Sequence, residues 1–463
     1  MKVTHVALQP TESSQSAGRP ALTPELLAAC GARYSRNNEG LEAILSKIDP
    51  SNLDKSVDSI FKMVDYGHQS IADMAPVAMF IDGISLWMAY AVWGRVPTAG
   101  GQESSTRYLR LGKDDLIDPA VLGIAPSEQN TWKFLMSESL KAYDSAIEAW
   151  EELGEAQPEL TRIPRSLLDD PSEKAQKAVA RMRRNYAFDR ARYFLPVGLA
   201  TNMMLVMSAR AWVQLCQWLL SSPVAEAKQL GNLVVEELGL VAPRLLRHAV
   251  KTESFAQGWQ MELDSAKSES RHRELAEGEA IDAPTLEIHT PSDVKEADIV
   301  HALSAHPHRY SYYGEPLART GVRFGWDAVA LAELRDLNRH RTGTKYCPPV
   351  ARGFYCALDE APAGSKVAEL VKHLSHHGTS TNSLSRRALE SNDPTFPYWL
   401  LLGTQFRFEH FTTADKFIYE AELRTGLGAH YRYAKHLRDS LGLWYQRFPQ
   451  TRGMIHEGAA EPE

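Results

Sequence analysis

Cysteine is scarce in this sequence: Cys30, Cys216, Cys347 and Cys356 are the only four in 463 residues, and no two form a C-x-x-C pair. That excludes a disulfide-dense scaffold and suits a reducing compartment. A basic excess is lacking too. With a formal charge of -7, general attraction to a nucleic-acid polymer or an anionic membrane is not expected, so any anion site must be local. No apolar run is free of charge over a membrane-spanning length. The two most apolar stretches, "MAPVAMFIDGISLWMAYAVW" and "LATNMMLVMSARAWVQLCQWLL", carry Asp82 and Arg210 and read as buried core helices. The opening "MKVTHVALQP" has no apolar h-region, so no secretory signal is visible. The expectation is a cytoplasmic protein with neither nucleic acid nor membrane as partner.

What is present is an ordinary globular composition, 44% hydrophobic and 24% charged, long enough for two domains. In "AMFIDGISLWMAYAVWGR" apolar residues recur at Phe80, Ile84, Trp87, Met88 and Ala91, which predicts a helix stopping near Gly94. "AEAKQLGNLVVEELGLVAPRLLRHAV" reads as an amphipathic helix broken at Pro243. Residues 254–294 mix charge, Gly and Pro with little periodicity and read as a connector between domains 1–253 and 295–463. Beyond it, Trp326, Val329, Ala330, Leu334, Leu337 and Arg341 share one helical stripe, with Gly343 as the stop. The halves resemble each other. Each has an aromatic-led helix, a Pro/Gly loop and an Arg followed by an aromatic ("TRY", "RGFY"). Each then has a Leu-rich entry into a long helix, "YFLPVGLATNMMLVMSARAW" and "YWLLLGTQFRFEHFTTADKF". Self-similarity on that scale predicts duplication of a whole domain.

The helix of the second half ends in "LNRHRTGTKY". Cations in a last turn complement the helix dipole, which by itself explains Arg339, His340 and Arg341. A second Arg271-His272-Arg273, in the connector, shows that the three letters alone carry little. Yet alternating Arg and His at a helix end also projects planar, bidentate donors suited to phosphate or a polarised carbonyl. Arg341, on the apolar stripe, is expected to point inward and to need an anionic partner.

"RHRTG" resembles the Arg-His-Arg signature of flavin-dependent thymidylate synthases. The loop that follows this signature in the family matches best in the other half of the chain, where Gln102 to Tyr108, "QESSTRY", resembles Asn-Glu-x-Ser-x-Arg-Tyr with Gln for Asn. "YGHQSIADM" is similar to the family's Gly-His-x-Ser segment but lacks the downstream Glu-His. "ARYFLPVGLATNMMLVMSARAW" resembles Ala-Arg-x-x-Leu-Pro…Asn-Ala-Arg-Ser, with Ser208 for Asn. "TADKFIYEAELRTG" looks like the same helix through its end, with Leu423-Arg424 on the family's base-binding Leu-Arg, and "GARYSRN" is similar to an early Ala-Arg-x-Ser. The pieces are split. The first half reads Gly94-Arg95-Val96 and Trp218-Leu219 where the family has Arg-His-Arg and the base-binding Arg. The second has "KYCPPVARGFY" for the Ser-x-Arg-Tyr loop and "TFPYWLLL" against "ARYFLP".

The resemblance implies an α+β fold, two tandem domains with helices around a twisted, mostly antiparallel sheet. It implies C5 methylation of a uracil nucleotide, dUMP to dTMP, with FAD as hydride carrier and with NADPH and methylenetetrahydrofolate as cosubstrates. It places Arg107, Arg192 and Ser105, with Gln102, Glu103 and Arg210, on the nucleotide. Arg424 goes against the uracil ring, and His68, Ser70, Arg339, His340 and Arg341 face the flavin. Arg210 reads equally well as a core arginine paired with an acid. Family sites form between subunits of a homotetramer, so a duplicated chain is expected to pair as a homodimer of pseudo-tetrameric symmetry. The missing Asn and Glu-His sustain an alternative, a non-catalytic paralogue that binds FAD or nucleotide. Cys347 reads as a structural thiol. His373, His376 and His377, like His306 and His308, have no Cys or carboxylate at ligand spacing, so no metal is expected.

Overall fold

Four apolar stretches of the chain each change from strand to helix at a small or hydroxylated residue. In the first half the change falls at Ser85 and Ser208, whose hydroxyls accept hydrogen bonds from the Met88 and Ala211 amides. This satisfies a helix N-terminus that would otherwise leave its first N–H groups bare. In the second half it falls at Ala330 and Thr413.

The computed structural model describes residues 1–36, 40–48, 52, 55, 57–58, 60–62, 69–271 and 283–461. Along the chain run β1 (Lys2–Val6), β2 (Pro76–Ser85), α1 (Leu86–Arg95), β3 (Gly100–Glu103), α2 (Gln129–Ala156) and α3 (Glu173–Ala191). Then come β4 (Ala200–Ser208), α4 (Ala209–Ser221), α5 (Ala225–Val241), α6 (Glu253–Ser270), β5 (Thr285–His289), β6 (Gly321–Ala330) and α7 (Leu331–Leu337). The rest are β7 (Thr344–Tyr346), β8 (Gly353–Phe354), β9 (Thr404–Thr413), α8 (Ala414–Thr425) and α9 (Tyr431–Arg447), with shorter helices between. The fold class is α+β, with every strand pairing antiparallel.

Two compact units interleave along the sequence. One comprises Met1–Ser104, Ile117–Ile124 and Leu199–Met261, the other Ser105–Leu116, Ala125–Gly198 and Glu262–Glu463. The first holds a sheet of order β1-β2-β4-β3, the second a sheet of order β5-β6-β9-β7 with β8 also on β9. The plans repeat in detail. β2 and β6 each span ten residues and each carries one bulge shortly before its helix, between Asp82 and Ile84 and between Trp326 and Val329. Helices then start at Leu86 and Leu331, and again at Ala209 and Ala414. One extra residue in the same place is a device kept within related folds.

Within the second unit the related segments "YFLPVG" and "YWLLLG" pair with each other. Pro196 bridges Leu401, the Val197 amide donates to the Leu400 carbonyl at 3.1 Å, and the Leu402 amide donates to the Leu195 carbonyl at 2.8 Å. Each partner is thus the other's counterpart, run in the opposite direction.

Several expectations change. Phe80 and Ile84 lie on β2, not on a helix, and only 86–95 is helical. Trp326, Val329 and Ala330 lie on β6, so no single helical stripe links Trp326 to Arg341. The Leu-rich entries into the later helices are β4 and β9. β2 and β4 carry near-continuous apolar runs, which periodicity cannot tell from a buried helix, while β9, "TQFRFEHFTT", alternates buried with less buried residues as a strand does. The segment read as a connector contains α6, whose Ala266 packs with Val350, Leu389 and Phe396. The helix broken at Pro243 is α5 followed by a 3-10 turn. No described helix is long and apolar enough to cross a membrane.

Ser85 carries more than a cap. Its amide and hydroxyl both donate to the buried Glu226 carboxylate, at 2.7 Å each. Replacing Ser85 by Ala removes the cap and one carboxylate donor, and is expected to cost about 1 to 3 kcal/mol, read as a lower urea midpoint.

Candidate functional site

The candidate site lies in the second unit and is assembled from four short segments. The first is the loop after β3. There the Arg107 amide donates to Ser105 Oγ at 3.2 Å, folding the loop so that the Arg107 side chain turns inward. Its guanidinium grips Asp189 in a fork, Nε to Oδ1 at 2.8 Å and Nη2 to Oδ2 at 2.7 Å, while Nη1 donates to the Gly428 carbonyl at 2.7 Å. Paired N–H groups on one carboxylate are the strong, directional form of this contact. Thr106 ties the same loop to α7, its hydroxyl accepting from Arg335 Nη1 at 3.1 Å.

The second segment is the end of α3 and the 3-10 turn after it. Asp189 and Arg192 are three apart, so a helical turn places them on one side, and they are 2% and 1% exposed. Arg192 Nη2 donates to the Ala332 carbonyl at 3.3 Å and stands 3.8 Å from Glu333. Among the described residues its Nε has no hydrogen-bond partner. A buried guanidinium N–H left open is costly unless something polar meets it.

The third segment, from α7 onward, supplies Asp336, Arg339 and His340. The fourth is the last turn of α8, where Arg424 donates through Nε to His340 Nε2 at 2.7 Å and through Nη2 to the Asp336 carbonyl at 3.0 Å. The Tyr433 ring flanks its guanidinium at 5.4 Å.

One carboxylate integrates these segments. Burial alone would raise the Asp336 carboxyl, but Arg339, Arg424, Arg192 and Arg107 together outweigh it and hold it at about 2. Burial lowers the three innermost guanidiniums, yet Asp189 and Tyr433 raise Arg107, Asp189, Tyr193 and Asp336 raise Arg192, and Asp336 and Tyr433 raise Arg424, for a net upward shift in each. His340 goes the other way. Burial first, then Arg424, Lys345 and His410, drive its imidazole down to about 3 against the pull of Glu420, so the ring is neutral at ordinary pH.

Of the residues singled out from the sequence, Ser105, Arg107, Arg192, Arg339, His340, Arg341 and Arg424 belong to this unit. The "STRY" loop, the "ARYF" turn, "RHR" and Leu423-Arg424, which the sequence splits between its halves, thus share one unit of one chain. Arg341 departs from its expectation. It is exposed, because α7 ends at Leu337 and the stripe that would have turned it inward does not exist. Gln102, Glu103, Arg210 and Ser70 belong to the first unit. Gln102 is exposed on β3, buried Glu103 accepts from Trp93 Nε1 at 3.1 Å, and Ser70 is exposed. Arg210 pairs with Asp73 at 2.8 Å, as the acid-paired reading allows, though it is not buried. His68 lies outside the described residues. In the first half Arg95, the counterpart of the signature, is exposed, with its guanidinium 5.2 Å from the centre of the Trp218 ring.

Asp189, Asp336 and Glu420 escaped sequence reasoning. Each had a signal: Asp189 three residues before Arg192, Asp336 four before His340, Glu420 four before Arg424. A second buried cluster was missed because its members lie far apart in sequence. Ligand atoms of His306, Glu422 and His456 come within 4.8 Å of one another. Glu422 is already served by His306 Nε2 at 3.0 Å, Tyr313 Oη at 2.9 Å and the His456 amide at 2.8 Å, so hydrogen bonds account for the cluster.

Residues 21–244 match the family model described as thymidylate synthase complementing protein. It is 24% identical over 236 residues to UPF0159 protein Ta1429 of Thermoplasma acidophilum, a span covering 47% of this chain and 47% of that one. The chain thus spans about half the length of that curated relative. Among solved structures it is similar to flavin dependent thymidylate synthase ThyX from Helicobacter pylori, complexed with FAD and dUMP. Identity there is 14% and the TM-score 0.31, over 54% of this chain and 100% of the other. It is also similar to the UMP/dUMP methylase PolB from Streptomyces cacaoi, bound with 5-Br dUMP, at 15% identity and a TM-score of 0.32, over 53% and 93%.

The Asp336 carboxyl sits below its unfolded range, so its contribution to stability is present above about pH 4 and fades as pH falls toward 2. At neutral pH Asp336→Asn is expected to destabilise the protein by about 2 to 5 kcal/mol, through the lost linkage and the stranded guanidiniums. Urea unfolding of both proteins should show that gap unchanged between pH 7 and 5 and shrinking below pH 4.

Proposed function

We propose that the protein methylates C5 of a uracil nucleotide, dUMP being the foremost candidate, with methylenetetrahydrofolate as carbon donor and NADPH as reductant. The observation that carries this reading is the convergence of Arg107, Arg192, Arg339 and Arg424, from four separate segments, on Asp336. The family model matched over 21–244 and the motifs of the sequence suggest the reaction class.

The residues suit the roles. Arg107 spends three of its five N–H groups on Asp189 and Gly428. Its two remaining groups, the open Nε of Arg192 and the Ser105 hydroxyl form a donor set for a nucleotide phosphate. Arg424, kept cationic by Asp336, would lie against the pyrimidine and stabilise negative charge developing on N3 and the carbonyl oxygens. That charge makes C5 nucleophilic without a covalent thiol adduct. C5 gains a bond to the one-carbon unit and loses its hydrogen as a proton. The methylene needs one hydride to become methyl, and NADPH is the net source. FAD, when bound, relays that hydride. Exposed Arg341 fits the pyrophosphate of such a dinucleotide by charge and access, and Arg339 and His340 stand beside it in sequence. Gln102, Glu103, Arg210, Ser70 and His68 keep only the roles that the resemblance implies.

One feature favours the alternative of a binding protein without catalysis. Asp189 and Asp336 already neutralise much of the guanidinium charge, so the cluster can stand without a ligand. Spectroscopy and turnover separate the readings. The methylase should purify yellow or take up FAD, and should release tritium from [5-3H]dUMP only with NADPH and methylenetetrahydrofolate. Colourless protein that takes up no FAD would be the binding paralogue. Arg424→Ala should lower turnover about 100- to 1000-fold, as expected for losing one preorganised donor at a developing anion, while leaving FAD uptake intact.

A further inference from the structure

Glu420 is 1% exposed, and neither carboxylate oxygen has an aligned hydrogen-bond donor. It lies on α8 one turn before Arg424. Around it stand two imidazoles: Oε2 is 3.2 Å from His410 Nδ1, without hydrogen-bond alignment, and 3.9 Å from His340 Nδ1. A buried carboxylate with so few donors costs stability, and packing alone does not call for one.

Its chemistry is set by what the two rings do on their far sides. His410 presents Nε2 to the Thr342 carbonyl at 2.7 Å, so that nitrogen carries a proton. His340 presents Nε2 to the Arg424 Nε–H at 2.7 Å, so that nitrogen carries none. A neutral His340 then bears its single proton on Nδ1, the nitrogen that faces Glu420. The opposite tautomer would set two N–H groups against each other at 2.7 Å and push the Arg424 guanidinium away.

We infer that Glu420 is a positioning residue: its negative charge, 3.9 Å from Nδ1, holds the His340 proton on that nitrogen, which leaves Nε2 as the acceptor that aims Arg424. The chain runs carboxylate to imidazole to guanidinium, and its outer end is the group placed against the pyrimidine above. To that extent the inference rests on the proposed function, while the tautomer itself does not. The same imidazole is anchored on its main chain, where Lys345 Nζ donates to the His340 carbonyl.

The test uses the full-length protein with 15N-labelled histidine. Long-range 15N–1H NMR reads the His340 tautomer, assigned by the signal lost in His340→Asn. Wild type is expected to show the proton on Nδ1. Glu420→Leu and the same-shaped Glu420→Gln, which both remove the charge, should redistribute it. Glu420→Met serves if the Leu variant does not fold. Calorimetry with dUMP should follow: affinity about tenfold weaker in both Glu420→Leu and Glu420→Gln, the scale of one charge-assisted hydrogen bond. A His340 proton on Nε2 in wild type, or a tautomer indifferent to Glu420→Leu, overturns the inference. Wild-type protein that does not bind dUMP would overturn the nucleotide reading instead, and the tautomer result would still decide for or against Glu420.

Discussion

The second unit turns on a single carboxylate that several cations share. Asp336 stays ionised in a place where burial favours its neutral form, because the charges of four guanidiniums outweigh that cost, Arg339 standing 3.9 Å away on its own segment and Arg107, Arg192 and Arg424 acting from others. The dependence is mutual. Without the carboxylate, like charges would face one another at close range in a poorly screened interior. Asp189 repeats the arrangement at Arg107. Each buried cation thus has an anion fixed by a helix, so the cluster is an ordered set of donors and not a pool of mobile charge.

Such an arrangement suits a ligand that carries charge at one end and polarises at the other. Arg107, half spent on Asp189, and Arg192, with an open Nε, offer fixed directions to a phosphate. Arg424 is held through His340 and the Asp336 carbonyl, so its plane is set before any ligand arrives. Preorganised donors need no rearrangement when charge develops. His340 can accept from Arg424 only because burial and its cationic neighbours keep it neutral.

Much of this was legible in the residues, and the failures have a common cause. Short motifs such as "RHRTG", "STRY", "ARYFLP" and the terminal Leu423-Arg424 marked the segments that meet, because planar donors at fixed spacing leave a trace in sequence. The strand–helix junctions left none. β2 and β4 carry near-continuous apolar runs that lead into the helices they feed, which hides them among buried helices, whereas β9, "TQFRFEHFTT", does alternate and its signal went unread. Misplacing the start of α7 also misdirected Arg341, since a stripe carried through β6 assigns it the wrong face. The acidic partners were equally hidden. Asp189, Asp336 and Glu420 lie close in sequence to the cations they serve, but no motif distinguishes them from surface charge.

The antiparallel pairing of 195–197 with 400–402 joins two related segments inside one polypeptide. Covalent linkage turns such an encounter from a bimolecular event into an intramolecular one, governed by an effective concentration that dilution cannot change. The two copies are also free to differ. A change in one copy is no longer imposed on its counterpart, so each can shed what the other retains. Asymmetry of this kind is closed to an assembly of identical chains and open to a tandem one.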